Sequence, residues 1–169
     1  MSVSFALAQK SLDAFLGGNE QSYERILVQN VVNPNTLVLD NREHVKLIGL
    51  NIPKEFEKNY IKKQRDSRGF VIEEEVSPTL PLKDLAFEFV KELLEGQYVR
   101  LEFDVERKNI DEETLAYVFL AKKNIFVNAE ILRQGYALLQ VSPPNTKYVE
   151  QLRSAYQEAS REKRGLQGQ

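Results

Sequence analysis

The chain of 169 residues contains no cysteine and a single histidine, His44. The first absence excludes disulfide frameworks, thiolate zinc sites and cysteine nucleophiles. The second excludes a histidine-rich metal centre and leaves a serine–histidine triad only one imidazole to use. An excess of either charge is also lacking, with 23 Lys plus Arg against 25 Asp plus Glu. A pI of about 5.6 argues against a bulk electrostatic nucleic-acid binder, which is usually basic. No stretch approaches the ~20 apolar residues of a membrane-spanning helix. What remains is the composition of one globular domain, 42% hydrophobic and 28% charged. A chain of this length buries roughly 70% of its unfolded surface, so it needs no metal or crosslink to hold a core.

Residues 1–21 allow two readings. Ala6-Leu7-Ala8 has the small-x-small pattern of a signal-peptidase site, as in the tail of a secretory signal cleaved before Gln9. That reading implies export or the cell envelope. Alternatively, Phe5, Ala8, Leu12 and Phe15 line one face of an amphipathic helix stopped by Gly17-Gly18, with a cytoplasmic protein implied.

From residue 22 to residue 167 the chain reads as one domain. Ile26, Val28 and Val31-Val32 form a first strand, ended by the Asn33-Pro34-Asn35 turn signal. Thr36–Leu39 and residues 44–50 complete an antiparallel meander. Residues 54–81 break the pattern and suggest a long solvated loop. Six cations and three anions occupy 54–68, then Glu73, Glu74 and Glu75 follow. A helix is expected over 82–95, with Leu82, Leu85, Phe89 and Leu93, together with Ala86 and Val90, recurring every three or four residues and Gly96 ending it. Alternating strands over 98–105 and 114–120 flank a polar connection, and further helices are expected near 127–134 and 146–163. The order is three strands, helix, two strands, two helices.

That order, and the wording of several stretches, resembles the staphylococcal nuclease (thermonuclease) family. Val31-Val32-Asn33-Pro34-Asn35-Thr36 stands where the family has Val-x-Asp-Gly-Asp-Thr. Lys46 to Pro53 stands where it has Arg-Leu-x-x-x-Asp-Thr-Pro. Residues 115–137, with Val127-Asn128, Ile131, Gly135 and Ala137 on the family's Val-Asn-x-x-Leu-x-x-x-Gly-x-Ala frame, give the most specific match. The resemblance implies an α+β fold, a five-stranded OB barrel with three helices. It also implies where the family's chemistry would sit: two aspartates on calcium, a glutamate near the attacking water, and two arginines on the phosphate.

Those positions are altered here. The metal aspartates are matched by Asn35 and Asn51, which lack the charge a hard cation prefers. The glutamate is matched by Lys54, with Glu55 one residue away. The arginines are matched by Lys46, which lacks the bidentate fork, and by Glu113, which repels a phosphate. Asp111, Glu112 and Glu113 read as a solvated hairpin tip rather than a cation site. His44 reads as a partly buried, hydrogen-bonded residue rather than a catalyst.

The expectation is therefore a nuclease fold without nuclease activity, catalytic residue, metal or cofactor. Its former cleft, lined by Asn35, Lys46, Asn51, Lys54 and Glu113, would bind a protein partner. Two other readings stay open: weak, non-catalytic nucleic-acid binding, and a metal-dependent phosphodiesterase that uses Glu55 and unorthodox ligands.

Overall fold

A computed structural model describes residues 23–53, 61–65, 71–75 and 82–168. The opening meander forms as its turn signals dictate. Strand β1 (Ile26–Asn33) pairs antiparallel with β2 (Thr36–Leu39), which pairs antiparallel with β3 (His44–Leu47). Val28, Val31, Leu37, Leu39, Val45 and Leu47 point inward and are buried, as the two-residue period requires. Two register shifts bulge β1, and bulges of this kind bend a strand around a barrel.

The expected third strand does not run to residue 50. It stops at Leu47, and Gly49 turns the chain at φ +89° into β4 (Leu50–Asn51). The positive φ favours glycine, and a Cβ on Gly49 would also press on the Leu152 Cδ1 methyl at 2.5 Å. Strand β4 pairs with the short β10 (Leu138–Leu139) instead of the barrel.

The loop expected over 54–81 is corrected in part. Strands β5 (Ile61–Arg65) and β6 (Val71–Glu75) form an antiparallel hairpin. Its register sets Lys62 opposite Glu74 and Lys63 opposite Glu73. Residues 54–60, with Lys54 and Glu55, lie outside the described residues, as does the N-terminal segment with both of its readings.

Helix α1 (Leu82–Leu94) follows, burying Ala86, Val90 and Leu94. Ala86 and Val90 of the expected pattern are buried, whereas Leu85 is exposed and Phe89 and Leu93 are only half-buried. Strand β7 (Tyr98–Glu102) then pairs with β1 and with β8 (Thr114–Leu120), and β8 runs parallel to β3. That last pairing closes a five-stranded barrel, β3-β2-β1-β7-β8.

A two-residue strand β9 (Ile125–Phe126) leads directly into helix α2 (Val127–Arg133). Helix α3 (Val149–Arg161) buries Leu152, Ala155 and Ala159. A short 3-10 turn, Gly165–Gly168, ends the described chain. No helix among the described residues is long and apolar enough to cross a membrane.

Asn128, fully buried at the start of α2, fastens the helix to the barrel. Its Oδ1 accepts from the Val118 amide at 2.9 Å, and its Nδ2 donates to the Ile48 carbonyl at 2.8 Å. The side chain thus fixes the segment that enters Gly49 and, beyond it, one wall of the cleft.

Candidate functional site

The β1–β2 turn, the end of β3, strand β4 and the β7–β8 connection meet at one end of the barrel. Asn33 organises the first of these, its Oδ1 accepting from the Asn35 amide at 3.1 Å. Asn35 is itself half-buried. Its Oδ1 accepts from Thr36 Oγ1 at 3.3 Å, and its Nδ2 reaches the Leu50 carbonyl at 3.5 Å. Asn35 therefore touches the strand that carries Asn51, which is exposed and in register with Leu138.

Lys46 stands opposite Thr36 on β3, one residue beyond the buried Val45. Alternation sends its side chain outward, where Nζ donates to Glu113 Oε2 at 3.3 Å. Glu113 is also held by the turn before β8. Asn109 Nδ2 donates to Glu113 Oε2 at 2.7 Å, while Asn109 Oδ1 accepts from the Glu113 and Asp111 amides at 3.0 Å each. The Asn109 hydrogen bond holds the Glu113 carboxyl below the usual range; burial opposes this, and the Lys46 ammonium adds to it. Glu113 is thus a fixed carboxylate with its charge answered.

Four of the five residues expected to line the cleft are among those described, and all four lie at this end. The fifth, Lys54, is outside the described residues. His44 is corrected: it is exposed and faces an open depression of about 660 Å³, alongside Lys46, Asp111 and Glu112. The reason is the same alternation that buries Val45 and Leu47 and turns His44 and Lys46 outward. Among the described residues, no three of Asp, Glu and His come together as metal ligands.

Three residues that hold the site were not singled out by the sequence. Asn109 shapes the acidic turn, and its signal was an asparagine opening a tight connection. Asn145, 4% exposed, clasps Glu106 by accepting from its amide at 2.8 Å and donating to its carbonyl at 2.9 Å. Asp104 accepts from the Tyr117 hydroxyl at 2.9 Å and from the Lys147 amide at 2.8 Å. These contacts tie the β7–β8 connection to the segment before α3.

Beside them, Glu102 accepts from Lys147 Nζ and Tyr148 Oη at 2.6 Å each, and pairs with Arg100. Burial raises its pKa, but the hydrogen bonds from Lys147, Tyr148 and Arg100 outweigh this and bring it down to about 2. The same competition lowers Asp104, where backbone and Tyr117 donors overcome burial.

Two thermonucleases are similar to this chain in sequence. A thermonuclease of Staphylococcus hyicus is 28% identical over 151 residues, covering 88% of this chain and 76% of that protein. A thermonuclease of Staphylococcus intermedius is 31% identical over 141 residues, covering 82% and 73%. The model of the staphylococcal nuclease homologues matches residues 44–167, from the start of β3 to the final 3-10 turn. Fold and sequence lead to one conclusion: the chain belongs to the staphylococcal nuclease homologue family.

Proposed function

We infer that this chain is a nuclease-fold protein without nuclease chemistry, and that its cleft binds a protein partner. One observation carries the reading: the ion pair of Lys46 with Glu113. By the resemblance, these are the positions where the family keeps two arginines for the phosphate. Here one cation neutralises an anion of the same site. A phosphodiester arriving there meets no net positive charge from the pair, and a developing phosphorane meets no fixed donor fork.

Calcium fits the described donors poorly. The family's two aspartate positions hold amides, and the Asn35 oxygen already accepts from Thr36. Glu113 is engaged by Lys46 and Asn109. A hard dication wants several charged oxygens converging on one point, with second contacts left free to orient them. We therefore derive no step through a metal. Fold alone does not assign activity, and the relatives' name describes the relatives.

Two measurements test the reading. Purified protein is incubated with single-stranded DNA and RNA at neutral and alkaline pH with calcium, and the expected result is no cleavage above background. Oligonucleotide affinity is then measured against salt. A steep salt slope would favour the nucleic-acid alternative, because phosphate contacts release counterions; a cleft built for protein shows little slope.

A further inference from the structure

We propose that the outer face of β1 and β7 binds a short, extended, acidic segment of a partner protein. None of its residues belongs to the cleft, so the proposal stands apart from the reading above.

The first observation is how one arginine is presented. Ile26 pairs with Val99 and Leu27 with Tyr98, and the buried Ile26 and Val99 mark the inward positions. Alternation turns Arg25, Tyr98 and Arg100 outward. Tyr98 is 45% exposed, and the Arg25 guanidinium carbon lies 4.6 Å from its ring centroid. Stacking of this kind uses a flat face of the guanidinium and leaves its N–H edges free. Arg25 is exposed and makes no ion pair among the described residues. Its edges are set to take a carboxylate bidentately.

The second observation is what surrounds that arginine. The turn of residues 121–124 is fastened to this face at both ends. The Ala121 amide donates to the Tyr98 carbonyl at 2.9 Å, and Arg100 Nη2 donates to Asn124 Oδ1 at 3.3 Å. Between those anchors, Lys122 and Lys123 are exposed and make no ion pair among the described residues. The carboxylates close by leave these cations unanswered. Glu102 is taken by Arg100, Lys147 and Tyr148, and Glu95, three residues before Tyr98, buries one of its oxygens. Glu24, exposed beside Arg25 in sequence, offsets one cation of the three. The charge left over is positive and favours an anionic partner. Its small extent decides which one. A nucleic-acid strand carries its phosphates far beyond three cations, over a protein whose formal net charge is -2, whereas an acidic segment of a few residues ends within the patch.

The experiment measures the fluorescence anisotropy of two labelled probes, octaglutamate and a single-stranded oligothymidine of the same length, with the full chain at low salt. Wild type should bind octaglutamate more tightly than the oligonucleotide. Arg25→Ala and the double variant Lys122→Ala/Lys123→Ala should each weaken octaglutamate about tenfold. Tyr98→Ala should weaken it too, while Tyr98→Phe keeps most of the affinity, because the ring and not the hydroxyl holds the guanidinium. Arg161→Ala, at an exposed arginine on α3, should leave affinity unchanged. Circular dichroism checks that each variant folds. The proposal is overturned if octaglutamate does not bind, if the oligothymidine binds more tightly, or if Arg25→Ala binds octaglutamate as wild type does. Cleavage of nucleic acid by wild type would overturn the cleft reading alone, since no residue of this face enters it.

Discussion

Lys46 Nζ and Glu113 Oε2 stand 3.3 Å apart, joining β3 to the turn before β8 across the mouth of the barrel. The strands that carry them are already paired in parallel, Val45 with Thr114 and Lys46 with Leu115. The ion pair is therefore an outer rivet on a closure the backbone makes anyway. Both side chains keep solvent contact, with 39% and 23% of their surface exposed. A double-mutant cycle with Lys46→Ala and Glu113→Ala should give a coupling of about 0.5 kcal/mol, fading as salt rises. A coupling above about 2 kcal/mol would mean that the pair holds the barrel shut.

Calcium should leave thermal stability unchanged. Binding to the folded state adds RT ln(1 + [L]/Kd), about 2.7 kcal/mol at a hundredfold excess over Kd. For a chain of this size, that corresponds to a rise of roughly 5 to 10 °C. Melts with millimolar calcium and with chelator should coincide. A rise abolished by Asn35→Ala or Asn51→Ala would contradict the absence of a metal site.

Acid should destabilise the protein through identifiable carboxylates. Glu102, Asp104 and Glu113 all have pKa values lowered by folding, Glu102 to about 2 from 4.5. For a depressed carboxylate, the stabilisation is complete above the unfolded pKa and is lost as pH falls through the folded one. For Glu102 the window is therefore from about pH 5 down to about pH 2. Urea melts at stepped pH should show this loss, with Glu102→Gln removing on the order of 2 kcal/mol of it after allowance for solvent screening. An unchanged acid limb in that variant would remove Glu102 from the account.

Asn128→Ala should be among the most damaging single substitutions. It leaves the buried Val118 amide and the Ile48 carbonyl without their side-chain partner. The cost should be about 2 to 4 kcal/mol, or roughly 5 to 12 °C in Tm. Calorimetry checks this. A loss below about 1 kcal/mol would show that water replaces the amide.

The sequence revealed the barrel because its strands alternate cleanly and its turns are marked by residues such as Asn33-Pro34-Asn35. It hid the end of β3, because the positive φ of Gly49 and the pairing of β4 with the distant Leu138–Leu139 are set by the fold and not by the local apolar pattern. It hid the β5–β6 hairpin because Ile61–Arg65 and Val71–Glu75 lack the apolar alternation that marks a half-buried strand. His44 is exposed and not partly buried because it stands one residue before the buried Val45 on β3. The site residues were legible one at a time, each against its family position. Their pairing was not, since Lys46 and Glu113 lie 67 residues apart and meet only when β3 and β8 close the barrel.

The most direct test is a cleavage assay on wild type beside a variant rebuilt toward the family. The variant carries Asn35→Asp, Asn51→Asp, Lys46→Arg, Lys54→Glu and Glu113→Arg. Each missing electrostatic contact costs on the order of a hundredfold in rate, though such losses are not additive within one site. Wild type should leave single-stranded DNA and RNA intact with calcium at neutral and alkaline pH, whereas the rebuilt chain should cleave weakly. Wild-type cleavage that copurifies through several columns and disappears on Glu55→Gln would contradict the account.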